Sequence, residues 1–343
     1  KKPFNNWTWK GIKLSGIADF YYANNLDDPQ GGKNFIRNFD TESDQADLNM
    51  LKFAIEKSAE PVGFRFDVGM GRAFDIFAVS EPTRRVTQLD QILQGYVSFK
   101  PAALKGLQVD VGKFYTSAGA ELTETHLGWN YSRAFLYANG PYYHFGIRTT
   151  APVTSHWTAG VQLVNGWNNV ADQNGGKTMG FTSLYTKGKV AIGNNYYVGN
   201  EKFRGLKGVR HFIDNVVTVN TNSWHSFYVN YDYGIDLKAV NGTDGAKFQG
   251  IAVANRFAIN KYLAFAPRFE VYKDHAGFIT GSAQTLKEIT MTGEVKFVDG
   301  LITRFEYRKD FSDQPFFDRR LGLPMGKNQS TFVVGFIGYF GPK

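Results

Sequence analysis

The chain has 343 residues, a formal net charge of +8 and no cysteine, which excludes disulfide frameworks, cysteine zinc sites and thiol nucleophiles. Aromatic residues make up 16%, with 30 Phe, 18 Tyr and 37 Gly, a mixture that suits strands and tight turns better than helices. Mean hydropathy is −0.32 and no run approaches the roughly 18 apolar residues of a membrane helix, a pairing that a β-barrel explains, because its strands alternate lipid-facing apolar and lumen-facing polar residues. The basic residues are scattered without forming a stripe, so nucleic acid is not an expected partner. Composition is even from end to end, which predicts one domain over 1–343. The chain opens on Lys1-Lys2-Pro3 with no apolar segment, so an exported form would already have lost its signal peptide.

Taken in order, the elements are strands of period two. The opening strand is LSGIADFYYANN, 14–25. In VGFRFDVGMG, 62–71, Val62, Phe64, Phe66, Val68 and Met70 share one face, with Arg65 and Asp67 on the other. Strands near 90–99 and 212–220 are the least clearly patterned. In LAFAPRFEVY, 263–272, Leu263, Phe265, Phe269 and Val271 oppose Arg268 and Glu270. In EITMTGEVKF, 288–297, Ile289, Met291, Val295 and Phe297 oppose Glu288, Glu294 and Lys296. The last strand, TFVVGFIGYF, sets Phe332, Val334, Phe336 and Phe340 on one side.

A soluble sandwich also alternates, but these strands are about ten residues long, the length a tilted strand needs to cross a bilayer, where soluble strands average about five or six. Short connectors fall near 57–61, 101–106, 151–155, 187–188, 220–223, 259–261 and 298–300. Long ones fall near 25–45, 72–89, 116–140, 166–176, 201–211, 236–246, 274–284 and 309–328. That rhythm predicts an all-β fold: a transmembrane antiparallel β-barrel of about sixteen strands, with short periplasmic turns and long extracellular loops. Barrels of that size leave an aqueous channel. Trp157, Trp224, Tyr262, Phe297 and Phe340 adjoin short connectors, where an aromatic girdle belongs.

The alternation points Lys52, Arg65, Arg148, Arg268, Lys296, Arg304 and Arg308 inward, together with Glu56, Asp67, Asp110, Glu270, Glu288, Glu294 and Glu306. In a narrow pore, opposed charged rows filter solutes by polarity and charge; alternatively each charge satisfies a neighbour across the strand pair. The longest loop, 116–140, begins with Ser117-Ala118-Gly119-Ala120 and carries Glu121, Glu124, Trp129, Tyr131 and Arg133. It is the candidate constriction, with Glu121 and Glu124 expected opposite wall arginines such as Arg65 and Arg148; the alternative is a loop on the outer surface.

Motifs for chemistry are weak. Gly69-Met70-Gly71 follows a strand, but Phe74 stands where a third glycine would and no helical pattern follows. The six histidines form no His-Glu-x-x-His run, and there is no Gly-x-Ser-x-Gly elbow. Asp27-Asp28 and Asp244-Gly245 read as solvated turns before calcium ligands. No catalytic residue, metal or cofactor is expected.

Several stretches carry a family resemblance: LSGIADFYYANN at 14–25, FIRNFDTESDQADLNMLKFAIEKSAEPVGFRFDVGMG at 35–71, LQVDVGKFYTSAGAE at 107–121 and GPYYHFGIRTTAPV at 140–153. In this order and spacing the first two-thirds of the chain resembles the OmpL-like β-barrel porins of Gram-negative outer membranes. Asn49-Met50 stands where the family usually has Asn-Gln, and the last third matches only in general barrel style. The resemblance implies an outer-membrane channel but no particular solute. The expected function is passive diffusion of small hydrophilic solutes or ions. The net charge of +8 against a balanced inward tally suggests a weak anion preference. Expected partners are outer-membrane lipid and lipopolysaccharide, the solutes, and two further copies in a homotrimer. A receptor or enzyme on a plugged barrel is the alternative, though no sequence is left over for a plug domain; a soluble all-β binding protein is a third reading.

Overall fold

A computed structural model describes residues 7–79, 81, 91–172, 174–201, 208–238 and 245–342. Sixteen antiparallel strands close on themselves: β1 (Ile12–Asn25), β2 (Gln45–Lys57), β3 (Val62–Met70), β4 (Ile92–Phe99), β5 (Gln108–Tyr115), β6 (Tyr143–Pro152), β7 (Trp157–Val164) and β8 (Thr178–Lys187), then β9 (Val190–Gly199), β10 (Arg210–Asn220), β11 (His225–Asp236), β12 (Ala246–Ala258), β13 (Leu263–Asp274), β14 (Gln284–Val298), β15 (Leu301–Ser312) and β16 (Asn328–Phe340). Each strand pairs with its neighbours in sequence, and β16 pairs with β1 from Thr331↔Asn25 to Phe340↔Gly16. Closure leaves no free sheet edge, which is what allows strands to sit in hydrocarbon. The two-residue strand Thr8–Trp9 folds back on the start of β1, and Trp7 packs on Phe340 at 4.5 Å between ring centres.

Seven short turns at one end and eight long loops at the other follow from these boundaries, as the connector rhythm predicts. The less clearly patterned segments are β4 and β10. The facing is also as expected: Phe66, Phe265, Phe269 and Phe336 are exposed on the outer wall, while Arg268 and Glu270 are buried inside. Trp157, Trp224, Tyr262, Phe297 and Phe340 are exposed beside the short turns. Two short helices lie in long loops, α1 (Arg72–Val79) after β3 and α2 (Phe135–Asn139) after β5.

The interior departs from a simple wet cylinder. In its loop-side half, Phe39 of the first loop and Phe74 and Phe77 of α1 pack with Tyr131, Tyr142 and Tyr143 against Tyr21 and Val333 of the wall. A second cluster sets Phe135 and Leu136 of α2 on Tyr197, Phe212, Phe248 and Tyr272. Alternation marks which residues face inward but not whether loops cover them.

Candidate channel interior

The segment 116–142 between β5 and β6 turns inward and bonds to inward side chains on β1, β2, β7, β9, β10, β11, β13, β14 and β15. Small residues let its start lie flat against the wall. The Gly119 N–H donates to Asp214 on β10 and the Ala120 N–H to Asn230 on β11, each at 3.0 Å, and Gly119 adopts a left-handed φ of 93° that only glycine adopts freely. Ser117 accepts from Gln162 on β7 through its hydroxyl, and from Asn195 on β9 through its carbonyl.

Farther along, the loop is held by ionised groups. Glu121 pairs with Arg268 at 2.6 Å and Glu124 with Lys52, which also holds Asp67 at 3.0 Å. The Tyr131 hydroxyl donates to Asp19 at 2.9 Å. Glu306 accepts the backbone N–H groups of Tyr131 and Ser132 at 2.6 and 2.9 Å. Glu270 accepts those of Phe135 and Leu136 at 2.6 and 2.7 Å, so the free donors at the first turn of α2 end on a carboxylate. Arg304 donates to the carbonyls of Thr125, Gly128 and Asn130 at 2.7, 2.5 and 2.9 Å. Arg308 donates to that of Arg133 at 2.6 Å. On β14, Thr292 accepts from the Asn130 amide at 2.7 Å. Charge-assisted bonds of this kind are about twice as strong as neutral ones.

Two wall glycines make room for this segment. A Cβ at Gly335 would lie 2.2 Å from Tyr131, and one at Gly250 would lie 2.7 Å from Leu136. Nothing in the alternation distinguishes these glycines from others, so sequence reasoning misses them. Asp19 and Asp310 fall in the inward register of β1 and β15; Asp310 lies inside the expected connector 309–328, because the strand runs on to Ser312. Arg37 had no signal: a loop residue, it reaches Asp310 and Thr331 on the wall.

The expected site residues fall into two groups. Arg268, Glu270, Arg304 and Arg308 lie beneath the loop with Glu121 and Glu124, and these wall side chains are nearly inaccessible to solvent. Arg65, Asp67, Asp110 and Arg148 lie on β3, β5 and β6. Here Arg65 bonds Asp67 at 2.8 Å and Glu56 at 2.9 Å, while Arg148 bonds Asp110 at 2.7 Å and stacks on Phe114. One expectation is corrected: the ion-pair partners of Glu124 and Glu121 are Lys52 and Arg268, not Arg65 and Arg148. Arg65 and Arg148 are held by carboxylates of their own sheet neighbours, and the loop descends along other strands.

Of the ion-paired charges toward the short-turn end, Lys13, Arg65, Arg148, Arg256 and Lys296 stay at least one-fifth exposed at the side chain, against two acids, Glu56 on the wall and Asp299 in the turn. Small residues widen the wall nearby. Thr150, Gly160 and Thr182 stand opposite one another in register, and a Cβ at Gly193 would meet nothing closer than 3.9 Å. Among the described residues no three His, Asp or Glu side chains gather as metal ligands. Arg84, Arg85, Lys202, Arg204, Lys207 and Asp244, charged loop residues of the sequence, lie outside the described residues.

A closed sixteen-strand barrel with an outward apolar belt and an inner wall of paired charges defines an outer-membrane channel. The model of the family described as "Putative beta-barrel porin-2, OmpL-like" matches residues 11–340, and the chain belongs to that family. Its fold resembles an anion-selective porin from Comamonas acidovorans, at 13% identity over 96% of this chain and 99% of that one, with a TM-score of 0.64. It also resembles OmpT of Vibrio cholerae (10% identity, 96% and 97% covered, TM-score 0.62) and the outer-membrane channel DcaP of Acinetobacter baumannii (11%, 96% and 96%, 0.61). A search of curated protein sequences returns no match.

Proposed function

We propose that the chain forms a single barrel unit that passes small hydrophilic solutes or ions by diffusion, weakly prefers anions, and carries out no turnover chemistry. The 116–142 segment acts as its constriction, and solutes travel beside it along the wall of Arg65, Arg148, Thr150 and Gly160. The carrying observation is the imbalance of accessible charge, in which five partly exposed cations stand with two exposed acids, Glu56 and the turn residue Asp299. The balanced inward tally of the sequence divides unevenly by exposure: Arg65, Arg148 and Lys296 stay partly exposed among its cations, and Glu56 among its acids. What remains is a cationic wall under a loop whose own acids are neutralised by Lys52 and Arg268. Charge in a low-dielectric passage acts on permeating ions with little screening. The packed interior makes the conductance smaller than that of an unobstructed barrel of sixteen strands.

A homotrimer surrounded by outer-membrane lipid and lipopolysaccharide completes the proposal. OmpT of Vibrio cholerae has been described in a trimer form, and closed cyclic symmetry is the usual arrangement of homo-oligomers. Planar-bilayer recordings test the channel: discrete conductance steps with a reversal potential displaced toward the anion potential are expected. No conductance, or strong cation selectivity, would overturn it. Mass measurement in mild detergent tests the trimer.

A further inference from the structure

The outward rows of four successive strands each carry a lysine near the loop side. On β13 the row Leu263, Phe265, Pro267, Phe269, Val271 ends on Lys273; on β14 the row rising from Phe297 through Ile289 reaches Lys287, with Thr285 above it. On β12 the outward row from Phe257 ends on Lys247, and on β15 that from Leu301 reaches Lys309, with Phe311 above it. A strand tilted about 40° gains roughly 2.5 Å of height per residue. Leu263 to Lys273, Phe297 to Lys287 and Phe257 to Lys247 therefore span roughly 25 Å, and Leu301 to Lys309 roughly 20 Å, the height of a barrel's apolar band. These ammonium groups stand where hydrocarbon gives way to headgroups on the loop side.

The row is continuous. Lys273 is opposite Gln249, two residues above Ile251, and Lys287 is opposite Val271; Lys309 is opposite Ile289. Each lysine is thus the diagonal neighbour of the next, a separation of roughly 7–8 Å. The Lys247 carbonyl accepts the His275 N–H at 3.0 Å, which places Lys247 beside Lys273. Burial, and then the positive fields of Lys273 and Lys247, hold the His275 imidazole below its usual pKa.

Among the described residues none of the four lysines pairs with a carboxylate. The nearby acids are turned away: Asp274, Glu288 and Asp310 face inward and are buried. Asp313, at the edge of the patch, accepts the Thr285 N–H. At the tops of several other strands the outward position is apolar, as at Met70 on β3, Leu163 on β7, Met179 on β8 and Val198 on β9. Four adjacent like charges without counter-charge repel one another, and they do so at a level where the surrounding lipid supplies anions.

We propose that Lys247, Lys273, Lys287 and Lys309 form a binding site for the phosphates of outer-leaflet lipid. It rests on the barrel's placement in the outer membrane with its long loops outward. The spacing of the row suits a headgroup carrying more than one phosphate, because one phosphate cannot span four strands. Each lysine near an anionic lipid surface contributes about fivefold in affinity.

The test uses the full chain in detergent, titrated with lipopolysaccharide, with the same glycolipid stripped of its phosphates, and with inorganic phosphate, bound lipid being counted by native mass spectrometry. The quadruple variant K247Q/K273Q/K287Q/K309Q should lose at least tenfold in affinity for lipopolysaccharide. The corresponding quadruple Lys→Arg variant should bind as the parent does, which separates lost charge from lost folding. Neutralising Lys57, Lys187, Lys189 and Lys261 near the short turns should leave binding unchanged. Inorganic phosphate should neither bind nor compete. Equal affinity of the parent and the quadruple Gln variant overturns the proposal. So does competition by inorganic phosphate, which would make the row a free-anion site, or equal binding of the dephosphorylated glycolipid. Conductance in a phosphatidylcholine bilayer should be the same with or without the four lysines, so loss of the channel reading would be seen separately from loss of the lipid site.

Discussion

Replacing Glu306 with alanine would test whether the inward loop is held by wall carboxylates. Glu306 is fully buried and accepts three hydrogen bonds: the Tyr131 N–H at 2.6 Å, the Ser132 N–H at 2.9 Å and the Thr292 hydroxyl at 2.7 Å. Each buried donor left without an acceptor costs about 1–3 kcal/mol, so the two backbone amides alone put the loss at about 2–6 kcal/mol. Water entering from the lumen lowers it toward the smaller figure. Arg304 and Glu270 still hold the segment on either side, so the barrel should stay closed while residues near 131 detach. About 3 kcal/mol raises the detached population more than a hundredfold. Hydrogen exchange of the amides at 131 and 132 should speed up by that order, and single-channel records should gain brief steps of higher conductance. Glu306→Gln retains one acceptor oxygen and should show about half the effect. Unchanged exchange and unchanged conductance in Glu306→Ala would refute the reasoning and mean that the loop is held by its apolar contacts.

Three further outcomes follow from the same geometry. Phe265→Arg sets a cation on the outward apolar band and should cost about 2–4 kcal/mol in unfolding from lipid vesicles, if the band is where alternation puts it; a loss below about 0.5 kcal/mol would invert the facing. Gly335→Val intrudes on the Tyr131 ring, 2.2 Å from the added Cβ, and should expose the loop to protease while the barrel keeps its heat-dependent shift on gels; resistance equal to the parent would show that the ring moves aside freely. Neutralising Arg148 should shift the reversal potential toward cations more than neutralising Arg308 does, because Arg148 is partly exposed and Arg308 lies buried beneath the loop; an equal shift would place the passage elsewhere.

The sequence made most of the barrel legible because the bilayer imposes one rule on every strand. The outer side must be apolar over a fixed height and the inner side is free to be polar, so Leu263 to Val271 alone reveals facing, length and direction. Turn length adds the rest: two residues between Lys187 and Val190 can only join strands at one end. The same rule is silent about the interior. Arg268 and Arg148 have the same alternation and chemistry, yet one is buried under Ser132 and the other is open to the lumen. What separates them is the path of a loop, set by contacts between residues more than a hundred positions apart, such as Arg304 with Gly128 and Glu270 with Phe135. Composition is informative where it is itself a packing device, as in the small residues at 117–120 that let a backbone lie on the wall. It failed for Glu121 and Glu124, because opposite charge identifies a class of partners and only the loop's descent chooses among them.

That distinction bears on how selectivity is set in such a channel. A wall arginine contributes to the passage only if no loop carboxylate or carbonyl claims it. Of the cations counted inward from sequence, Lys52, Arg268, Arg304 and Arg308 are consumed in holding the loop. The loop brings two acids, Glu121 and Glu124, and several backbone carbonyls, and these carbonyls solvate guanidinium groups without cancelling any charge in the tally. Wall acids are used the same way, since Glu270 and Glu306 are satisfied by neutral N–H groups. Anchoring charges is therefore not the same as neutralising them. The anchored set carries both signs at close quarters, in pairs such as Arg268 with Glu288 and Arg308 with Asp310. On the proposed reading, ion preference passes to the side chains the loop leaves alone, Arg65, Arg148 and Arg256, and a change in the loop's path would alter selectivity without altering a single charged residue.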